Sequence, residues 1–230
     1  MEGLPDHRPD GLIMVVKEGG RTLIVWRHGE TDHNASGIWQ GQLDIPLSDK
    51  GREQALGAVD GLAAYRPSVI VSSDLERAVD TADALASRLG LSVSNDERLR
   101  EIHAGLWQGL TAGDVAERFP LEQAALLAGE DIRRGGHGES LTQVAERTEA
   151  AVADLLAELP PGDCAVIVTH GVSARTIVAS LVGLDQHTAW QCLAGLQNCH
   201  WAELHEYASS WRIVAWNAGR KAESAPRFGE

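Results

Sequence analysis

Short apolar runs alternate along the chain with longer segments in which apolar residues recur at helical spacing. The continuous runs predict buried strands, and they lie at 22–26, 68–73, 91–94 and 164–170. A strand that is apolar at successive positions is covered on both faces, which is typical of a parallel sheet between helical layers. The pattern therefore predicts an α/β protein.

The segments between these runs predict helices. One helix is expected over 49–64, with Ser48 as its N-cap. Ser73 and Glu76 have the spacing of a capping box for a second helix, and Ser140 and Gln143 have it for a third that continues to residue 159. Part of 112–139 is expected to be helical, and a further helix is expected to begin at about residue 173.

Two final apolar segments, 199–207 and 210–216, predict an antiparallel pair joined by a turn at 208–210. The fold class expected from all these elements is a three-layer αβα sandwich whose central sheet is mainly parallel and has an antiparallel edge strand. Residues 1–20 are polar and contain two prolines, so we expect a mobile N-terminal leader there. Residues 21–218 are expected to form a single domain, followed by a C-terminal tail at 219–230.

Composition narrows the classes of function. The chain has 230 residues and a formal net charge of −13, which argues against nucleic-acid binding because a phosphate-backbone binder needs a basic face. The N-terminal apolar run at 11–16 is too short for a spanning helix, so a cytoplasmic protein without a membrane partner is expected. The three cysteines have no Cys-x-x-Cys pair, which favours reduced thiols.

Charged and imidazole side chains follow three of the predicted strands. Arg27 and His28 come after the first, Arg77 lies just beyond the second, and His170 ends the fourth. The carboxyl ends of parallel strands meet at one edge of the sheet, where such folds bind ligands. Two arginines and two histidines at that edge suit a phosphate group. Taken singly, each histidine could be an ordinary surface residue and each arginine an ordinary salt-bridge partner. A binding site is favoured because all four are expected at the same edge of the sheet.

Five motifs in this order resemble the histidine phosphatase superfamily, which is also called phosphoglycerate-mutase-like. They are RHGET at 27–31 followed by Asn34, QGQLDIPLSDKGREQA at 40–55, SSDLERAVDTA at 72–82, LREIHAGLWQG at 99–109 and VTHG at 168–171. The resemblance extends from about residue 22 to residue 217, and within the superfamily it points to small actinobacterial phosphatases. It implies a phosphomonoesterase, a hydrolase that acts through a phosphohistidine intermediate.

The resemblance also implies a role for each matching residue. His28 would be the nucleophile, and Glu101 would protonate the leaving oxygen and then activate water. His170 would be catalytic by stabilising the transferred phosphoryl group. The phosphate-binding residues implied by the motifs are Arg27, Arg77, Asn34, Gln40 and Gly171.

These roles set physical requirements. His28 must be neutral to attack, and two nearby arginines would lower its pKa. Glu101 must begin the reaction protonated; without the resemblance, an ion pair with Arg98 or Arg100 is the better reading of this residue. The histidine and carboxylate spacings match no metal motif, so no metal and no other cofactor is expected.

Three functions are compatible with these motifs. The first is a metal-independent phosphatase acting on a small phosphorylated metabolite. The second is a cofactor-dependent phosphoglycerate mutase, which needs more cations over the pocket than the three arginines in 112–139 supply. The third is a non-catalytic protein that binds phosphorylated ligands, for which His28, Glu101 and His170 would be dispensable.

Several residues have no assigned place in this scheme. His33, His103, His137, Arg133 and Arg134 are candidates for substrate specificity, with solvated loop positions as the alternative. Trp39 is a candidate for the pocket wall. The tryptophan-rich C-terminal strand pair is a candidate surface for a homodimer, because an edge strand offers unpaired backbone groups.

Overall fold

The computed structural model describes residues 19–208 and 210–219. The predicted leader at 1–20 therefore lies outside the described residues except for its last two, and so does the predicted tail at 219–230 except for its first. No helix in the described ranges is long and apolar enough to cross a membrane.

Six strands form one sheet, in the spatial order β3-β2-β4-β1-β5-β6. The four strands β1 to β4 pair in parallel, whereas β5 is antiparallel to β1 and β6 is antiparallel to β5. The predicted mainly parallel sheet with an antiparallel edge is confirmed. The strands are β1 (Thr22–Arg27), β2 (Val69–Ser72), β3 (Val93–Asn95), β4 (Cys164–Thr169), β5 (Trp201–Tyr207) and β6 (Ser210–Ala218).

Helices cover both faces of this sheet. They are α1 (Asp32–Ala35), α2 (Asp49–Ala63), α3 (Glu76–Leu89), α4 (Ala112–Arg118), α5 (Pro120–Leu127), α6 (Leu141–Glu158), α7 (Gly171–Val182) and α8 (Gln186–Cys192). Successive residues of β1 alternate between the faces: Ile24 and Trp26 pack with α2 and α3, while Leu23 and Val25 pack with α6 and α7. The sheet is thus buried on both sides, and the predicted three-layer sandwich is confirmed.

Two helix starts differ from the prediction. The Ser73–Glu76 capping box is wrong: α3 begins at Glu76 after Leu75, and no side chain caps it. Ser73 is instead committed to His170, whose ring Nε2 lies 2.8 Å from the serine Oγ. Helix α7 begins at Gly171, two residues before the predicted start, and α8 was not predicted. The capping box of Ser140 and Gln143 on α6 is confirmed.

All three cysteines are free thiols, as predicted. Cys164 and Cys199 are buried, whereas Cys192 is exposed on α8. Burial raises the pKa of each of the two buried thiols to about 12. These two side chains therefore act as small apolar groups in the core.

Candidate active site

The strands β2, β4 and β1 are neighbours in the sheet, so the residues that follow them meet at one edge. His28, immediately after β1, and His170, immediately after β4, are both buried there. Their ring centroids are 5.0 Å apart and the ring planes make an angle of 60°. The convergence expected from the sequence is therefore present in the structure.

The His28 ring is held in one tautomer. Its Nδ1 lies 2.6 Å from the Gly29 carbonyl oxygen, and because a carbonyl can only accept, Nδ1 carries the hydrogen. The lone pair of the neutral ring is then on Nε2. Burial, and next the charges of Arg77 and Arg27, hold the pKa of His28 well below its usual value. The predicted direction is right, but burial is the larger cause.

The His170 ring packs edge to face against the His28 ring and also has a lowered pKa. Burial, followed by the charges of Arg77 and the neighbouring His28, lowers the pKa of His170 well below its usual value. Its Nε2 contacts Ser73, whereas its Nδ1 is buried with no hydrogen-bond partner among the described residues. His170 thus retains one unused polar atom within the site.

Arg27 and Arg77 hydrogen-bond to neutral backbone groups. Arg27 Nη1 donates to the Leu196 carbonyl at 2.6 Å, and Arg77 donates to the carbonyls of Leu43 at 2.7 Å and Gly41 at 2.8 Å. The Nε atom of each arginine is buried and has no partner in the described ranges. Burial lowers the pKa of Arg77 to about 10, so it stays charged at neutral pH. Two positive charges therefore face the site, and their main acidic neighbour is Glu101, whose charge raises the pKa of both arginines.

Glu101 lies at the first turn of α7. Its Oε1 accepts from the backbone N–H of Ile102 at 2.9 Å, and both carboxylate oxygens lie 3.2 Å from the Val172 nitrogen. The alternative of an ion pair with a neighbouring arginine is wrong. Arg98 pairs with Asp96 and Asp154, and Arg100 pairs with Asp74, leaving Glu101 beside the cavity.

A cavity of about 200 Å³ joins these groups. Six of the eight predicted site residues line it: Arg27, His28, Asn34, Gln40, Arg77 and Glu101. His170 and Gly171 lie just beyond the lining. Gly171 is close enough that an added Cβ would sit 3.6 Å from Arg27 Nε. One wall comes from residues 37–41 and includes Trp39, as proposed from the sequence, and Ile102 and Val172 form the other.

Gly29 packs against protein backbone. A Cβ at this position would lie 2.5 Å from the Gly51 carbonyl oxygen, at the start of α2. The missing side chain therefore lets the turn after β1 approach α2 closely. This contact also brings the carbonyl that binds His28 into its position.

The unassigned candidates do not line the cavity. Arg134 is buried, donates to the Ile132 carbonyl at 2.6 Å and lies 3.6 Å from Asp131. Arg133 donates to the Gly138 carbonyl at 2.8 Å. Both arginines bind within the glycine-rich loop. The alternative of a solvated loop position fits the exposed Arg133, but it is wrong for Arg134, whose side chain is buried.

The three candidate histidines also lie away from the lining. His103 and His137 contact each other with ring centroids 5.7 Å apart, and His33 lies on α1. Within residues 19–208 and 210–219, no group of three or more His, Cys, Asp or Glu side chains is arranged to hold a metal ion.

Two residues near the site were missed by sequence reasoning. Arg147 on α6 donates to the carbonyls of Arg98, Arg100 and Glu101, and so holds the segment that carries the candidate acid. Asn198, just before β5, donates to the His28 carbonyl. Neither residue belongs to a local sequence motif. A single arginine in a helical pattern, such as Arg147, is typical of a solvent-exposed helix position.

The family model for the histidine phosphatase superfamily (branch 1) matches residues 23–219, the range that contains this fold, the buried histidine pair and the two arginines. The chain belongs to this superfamily. The prediction of a phosphatase-type enzyme is therefore confirmed at the level of the family.

The curated relatives include glucosyl-3-phosphoglycerate phosphatases. That of Mycolicibacterium vanbaalenii is 42% identical over 216 residues, covering 86% of this chain and 95% of the relative. That of Mycobacterium tuberculosis is 40% identical over 220 residues, covering 89% and 97%. A probable phosphoglycerate mutase of Salmonella arizonae is 34% identical over 191 residues, covering 83% and 87%.

The solved structures that resemble this chain include mycobacterial enzymes of the same kind. The mycobacterial glucosyl-3-phosphoglycerate phosphatase in complex with VO3 superimposes with a TM-score of 0.80 at 41% identity. The alignment covers 86% of this chain and all of that one. A mycobacterial hydrolase superimposes with a TM-score of 0.82 at 40% identity, covering 87% of this chain and all of the other.

Proposed function

We propose that this protein is a metal-independent phosphomonoesterase that hydrolyses a small phosphorylated metabolite through a phosphohistidine at His28. The observation that carries the proposal is the state of His28 in the structure. Its pKa is held well below the usual value, so the ring is neutral at neutral pH, its Nδ1 is bound to the Gly29 carbonyl, and the charges of Arg27 and Arg77 lie close to it. An uncharged imidazole with a free Nε2 is the form that can attack phosphorus.

The first step transfers the phosphoryl group to the enzyme. The Nε2 lone pair of His28 forms a bond to phosphorus while the bond from phosphorus to the ester oxygen breaks. Protonated Glu101 gives its proton to that oxygen, so an alcohol leaves and a carboxylate remains. Positive charge around the equatorial oxygens stabilises the transition state.

The second step regenerates the enzyme. The Glu101 carboxylate takes a proton from water, whose oxygen bonds to phosphorus as the bond between phosphorus and Nε2 breaks. Inorganic phosphate leaves, His28 is again neutral, and Glu101 is again protonated. The backbone N–H groups at the first turn of α7 hold the carboxylate in place for this role.

Arg27, Arg77 and His170 are proposed to hold the phosphoryl oxygens, with help from Asn34, Gln40 and Gly171. The unused atoms of the site support this assignment. Arg27 Nε, Arg77 Nε and His170 Nδ1 are buried and have no partner within the described part of the chain. The two arginine Nε–H groups are buried donors without partners, which are costly, and a phosphate oxygen only accepts, so such a group would satisfy them. His170 Nδ1 would be a third donor in the tautomer in which the Ser73 hydroxyl donates to Nε2.

Glucosyl-3-phosphoglycerate is the first substrate to test. Two relatives named for that substrate are 40–42% identical to this chain and are covered over 95% and 97% of their length. The site cavity of about 200 Å³ can admit a phosphate group with a short carbon chain. The net charge of −13 does not favour a polyanionic macromolecule.

A phosphoglycerate mutase is the second candidate, because a relative of that name is 34% identical. A mutase must hold a second phosphate group. The cations on the cavity lining described here are Arg27 and Arg77, and Arg133 and Arg134 are engaged within their own loop. Two arginines suit the binding of one phosphate group, and this favours hydrolysis of a phosphate ester over transfer of the phosphoryl group between two positions.

The test is phosphate release in the presence of EDTA from glucosyl-3-phosphoglycerate, 3-phosphoglycerate and p-nitrophenyl phosphate. Wild type is compared with His28→Ala and with His187→Ala, a control at an exposed histidine on α8. We expect phosphate release and an acid-labile phosphohistidine in wild type and in the His187→Ala control, and neither in His28→Ala. Isomerised phosphoglycerate without free phosphate would identify a mutase. Tight phosphate binding without turnover would identify a binding protein.

A further inference from the structure

A chain of polar side chains runs along one wall of the cavity. It consists of Asn198, Asn34, Thr31 and Gln40, and we call it the amide relay. The Nδ2 of Asn198 donates both to the His28 carbonyl at 3.1 Å and to Asn34 Oδ1 at 3.1 Å. The relay therefore joins the loop before β5 to the turn that carries the candidate nucleophile.

Backbone groups fix the direction of the first two amides. The Thr31 backbone N–H can only donate, so the Asn34 atom 3.3 Å from it must be Oδ1. The His28 carbonyl can only accept, so the Asn198 atom that contacts it must be Nδ2. These two assignments are consistent with each other, because the Asn198 Nδ2 then donates to the Asn34 Oδ1 where the two side chains meet.

The Thr31 hydroxyl extends this direction to Gln40. Thr31 Oγ1 accepts from the Asn34 backbone N–H at 3.1 Å, and its own hydrogen goes to Gln40 Oε1 at 2.9 Å. Thr31 and Gln40 are both buried, so water does not compete freely for these bonds. With both amide oxygens occupied, Asn34 and Gln40 each retain an NH₂ group, and both residues line the cavity.

We propose that Asn198 and Thr31 are positioning residues that keep Asn34 and Gln40 turned with their NH₂ groups available to a phosphate oxygen. This inference rests on the proposed function, because it takes phosphate as the ligand of the cavity. A phosphate oxygen only accepts hydrogen bonds. An amide turned the other way would present its carbonyl oxygen and repel the ligand.

Two substitutions break the relay at different points. Asn198→Asp keeps the shape but has no N–H group, so it opposes the His28 carbonyl and Asn34 Oδ1 and favours an inverted Asn34. Thr31→Val keeps the shape and removes the hydroxyl that directs Gln40. Thr31→Ser restores a hydroxyl and serves as the rescue variant. Asn217→Asp is the matched control, since Asn217 only accepts from the Gln197 backbone N–H and does not line the cavity.

The measurement is the dissociation constant of inorganic phosphate by calorimetry, which needs no turnover. We expect it to rise roughly tenfold or more in Asn198→Asp and Thr31→Val, because each loses a hydrogen bond to a charged ligand. The KM for p-nitrophenyl phosphate should rise in parallel, with a smaller change in kcat. Thr31→Ser and Asn217→Asp should stay within about twofold of wild type, the scale of a surface change.

Side-chain ¹⁵NH₂ resonances give a second, structural readout. Phosphate should shift the NH₂ signals of Asn34 and Gln40 in wild type. The Gln40 signal should not shift in Thr31→Val, and the Asn34 signal should not shift in Asn198→Asp. Unchanged phosphate affinity in both relay variants, at an unchanged melting temperature, overturns the proposal. If Asn198→Asp does not fold, Thr31→Val decides alone. Wild type that binds phosphate without hydrolysing esters contradicts the proposed function and leaves the relay standing.

Discussion

The imidazole rings of His28 and His170 meet edge to face, with centroids 5.0 Å apart, and both are buried without positive charge. Two protonated rings at this distance, beside Arg27 and Arg77, would repel one another. The folded protein therefore requires both histidines to be neutral, and this requirement links stability to pH.

Stability should fall as the pH is lowered from 7.5 to 5. The pKa values of His28 and His170 are depressed in the folded state, whereas in the unfolded chain they are about 6.5. Below about pH 6.5 the two histidines of the unfolded chain take up protons, whereas the buried rings of the folded protein stay neutral. The free energy of unfolding is therefore at its full value above about pH 6.5 and falls below it, by at most about 1.4 kcal/mol per pH unit for each ring. Urea unfolding at four pH values measures the slope.

The assignment of this slope to the buried rings can be checked with two variants. His170→Asn should reduce the slope, and His187→Asn, at an exposed position, should leave it as in wild type. A free energy of unfolding that does not change between pH 7 and pH 5 would show that the buried rings are not the source.

Arg147 should act on catalysis through Glu101. Its guanidinium binds three backbone carbonyls of the 98–101 segment and both oxygens of Glu139. Burial alone would raise the pKa of Glu139, but the bonds from Arg147 and the His103 N–H hold it below its usual value. The ion pair is therefore intact at neutral pH, and the segment is fixed to α6.

Arg147→Met should lower kcat for phosphate release by roughly tenfold or more, since small displacements of a catalytic group have effects of this size. The dissociation constant of inorganic phosphate should change little, because Arg147 does not line the cavity. Arg52→Met, which removes an exposed arginine paired with Asp49, is the control. Equal losses of kcat and phosphate affinity would point to general disruption of the site.

The thiols should differ sharply in reactivity. Cys164 and Cys199 are buried and have pKa values raised to about 12, so the thiolate is scarce at pH 8. Cys192 is exposed. Ellman's reagent should titrate one thiol per native chain and three in denaturant, and Cys192→Ser should leave none reactive in the native protein. Two or more reactive thiols in the native wild type would contradict this burial pattern.

Gly29→Ala should destabilise the protein by about 1–3 kcal/mol, the range for overpacked positions. The new Cβ would meet the Gly51 carbonyl oxygen at 2.5 Å, and neither backbone can move without disturbing the turn after β1. Gly113→Ala is the matched comparison, because its Cβ would meet only Thr111 Oγ1 at 3.7 Å. That helical substitution should be neutral or stabilising by up to about 1 kcal/mol, and chemical denaturation distinguishes the two.

Local patterns predicted the sheet and the place of the site. The apolar run of β1 and the residues Arg27 and His28 that follow it are neighbours in sequence, so one short segment carries both signals. The same holds for β4 and His170. Parallel pairing then brings the two histidines together by a general rule of the fold.

What could not be predicted depends on contacts between distant segments. Ser73 and Glu76 have the spacing of a capping box, but the Ser73 hydroxyl binds His170, 97 residues away, and the helix begins without that cap. Asn198 has no local signature, because its partners are the His28 carbonyl and Asn34 Oδ1. Whether a side chain caps its own helix or binds a distant residue is decided by the tertiary structure, and no local pattern in the sequence indicates the outcome.

The position of Asn198 in the chain has a consequence for biosynthesis. Its partners lie 170 and 164 residues earlier, and β5, which follows it, pairs with β1. A growing polypeptide emerges from the ribosome with its N-terminal part first. Every proposed catalytic residue has then been made before the side chain that orders the phosphate-binding wall. Under the proposed role of Asn198, the cavity reaches its full affinity for phosphate only after the chain has been made as far as residue 198, and a translation product that ends before Asn198 would carry the catalytic residues with weakened phosphate binding.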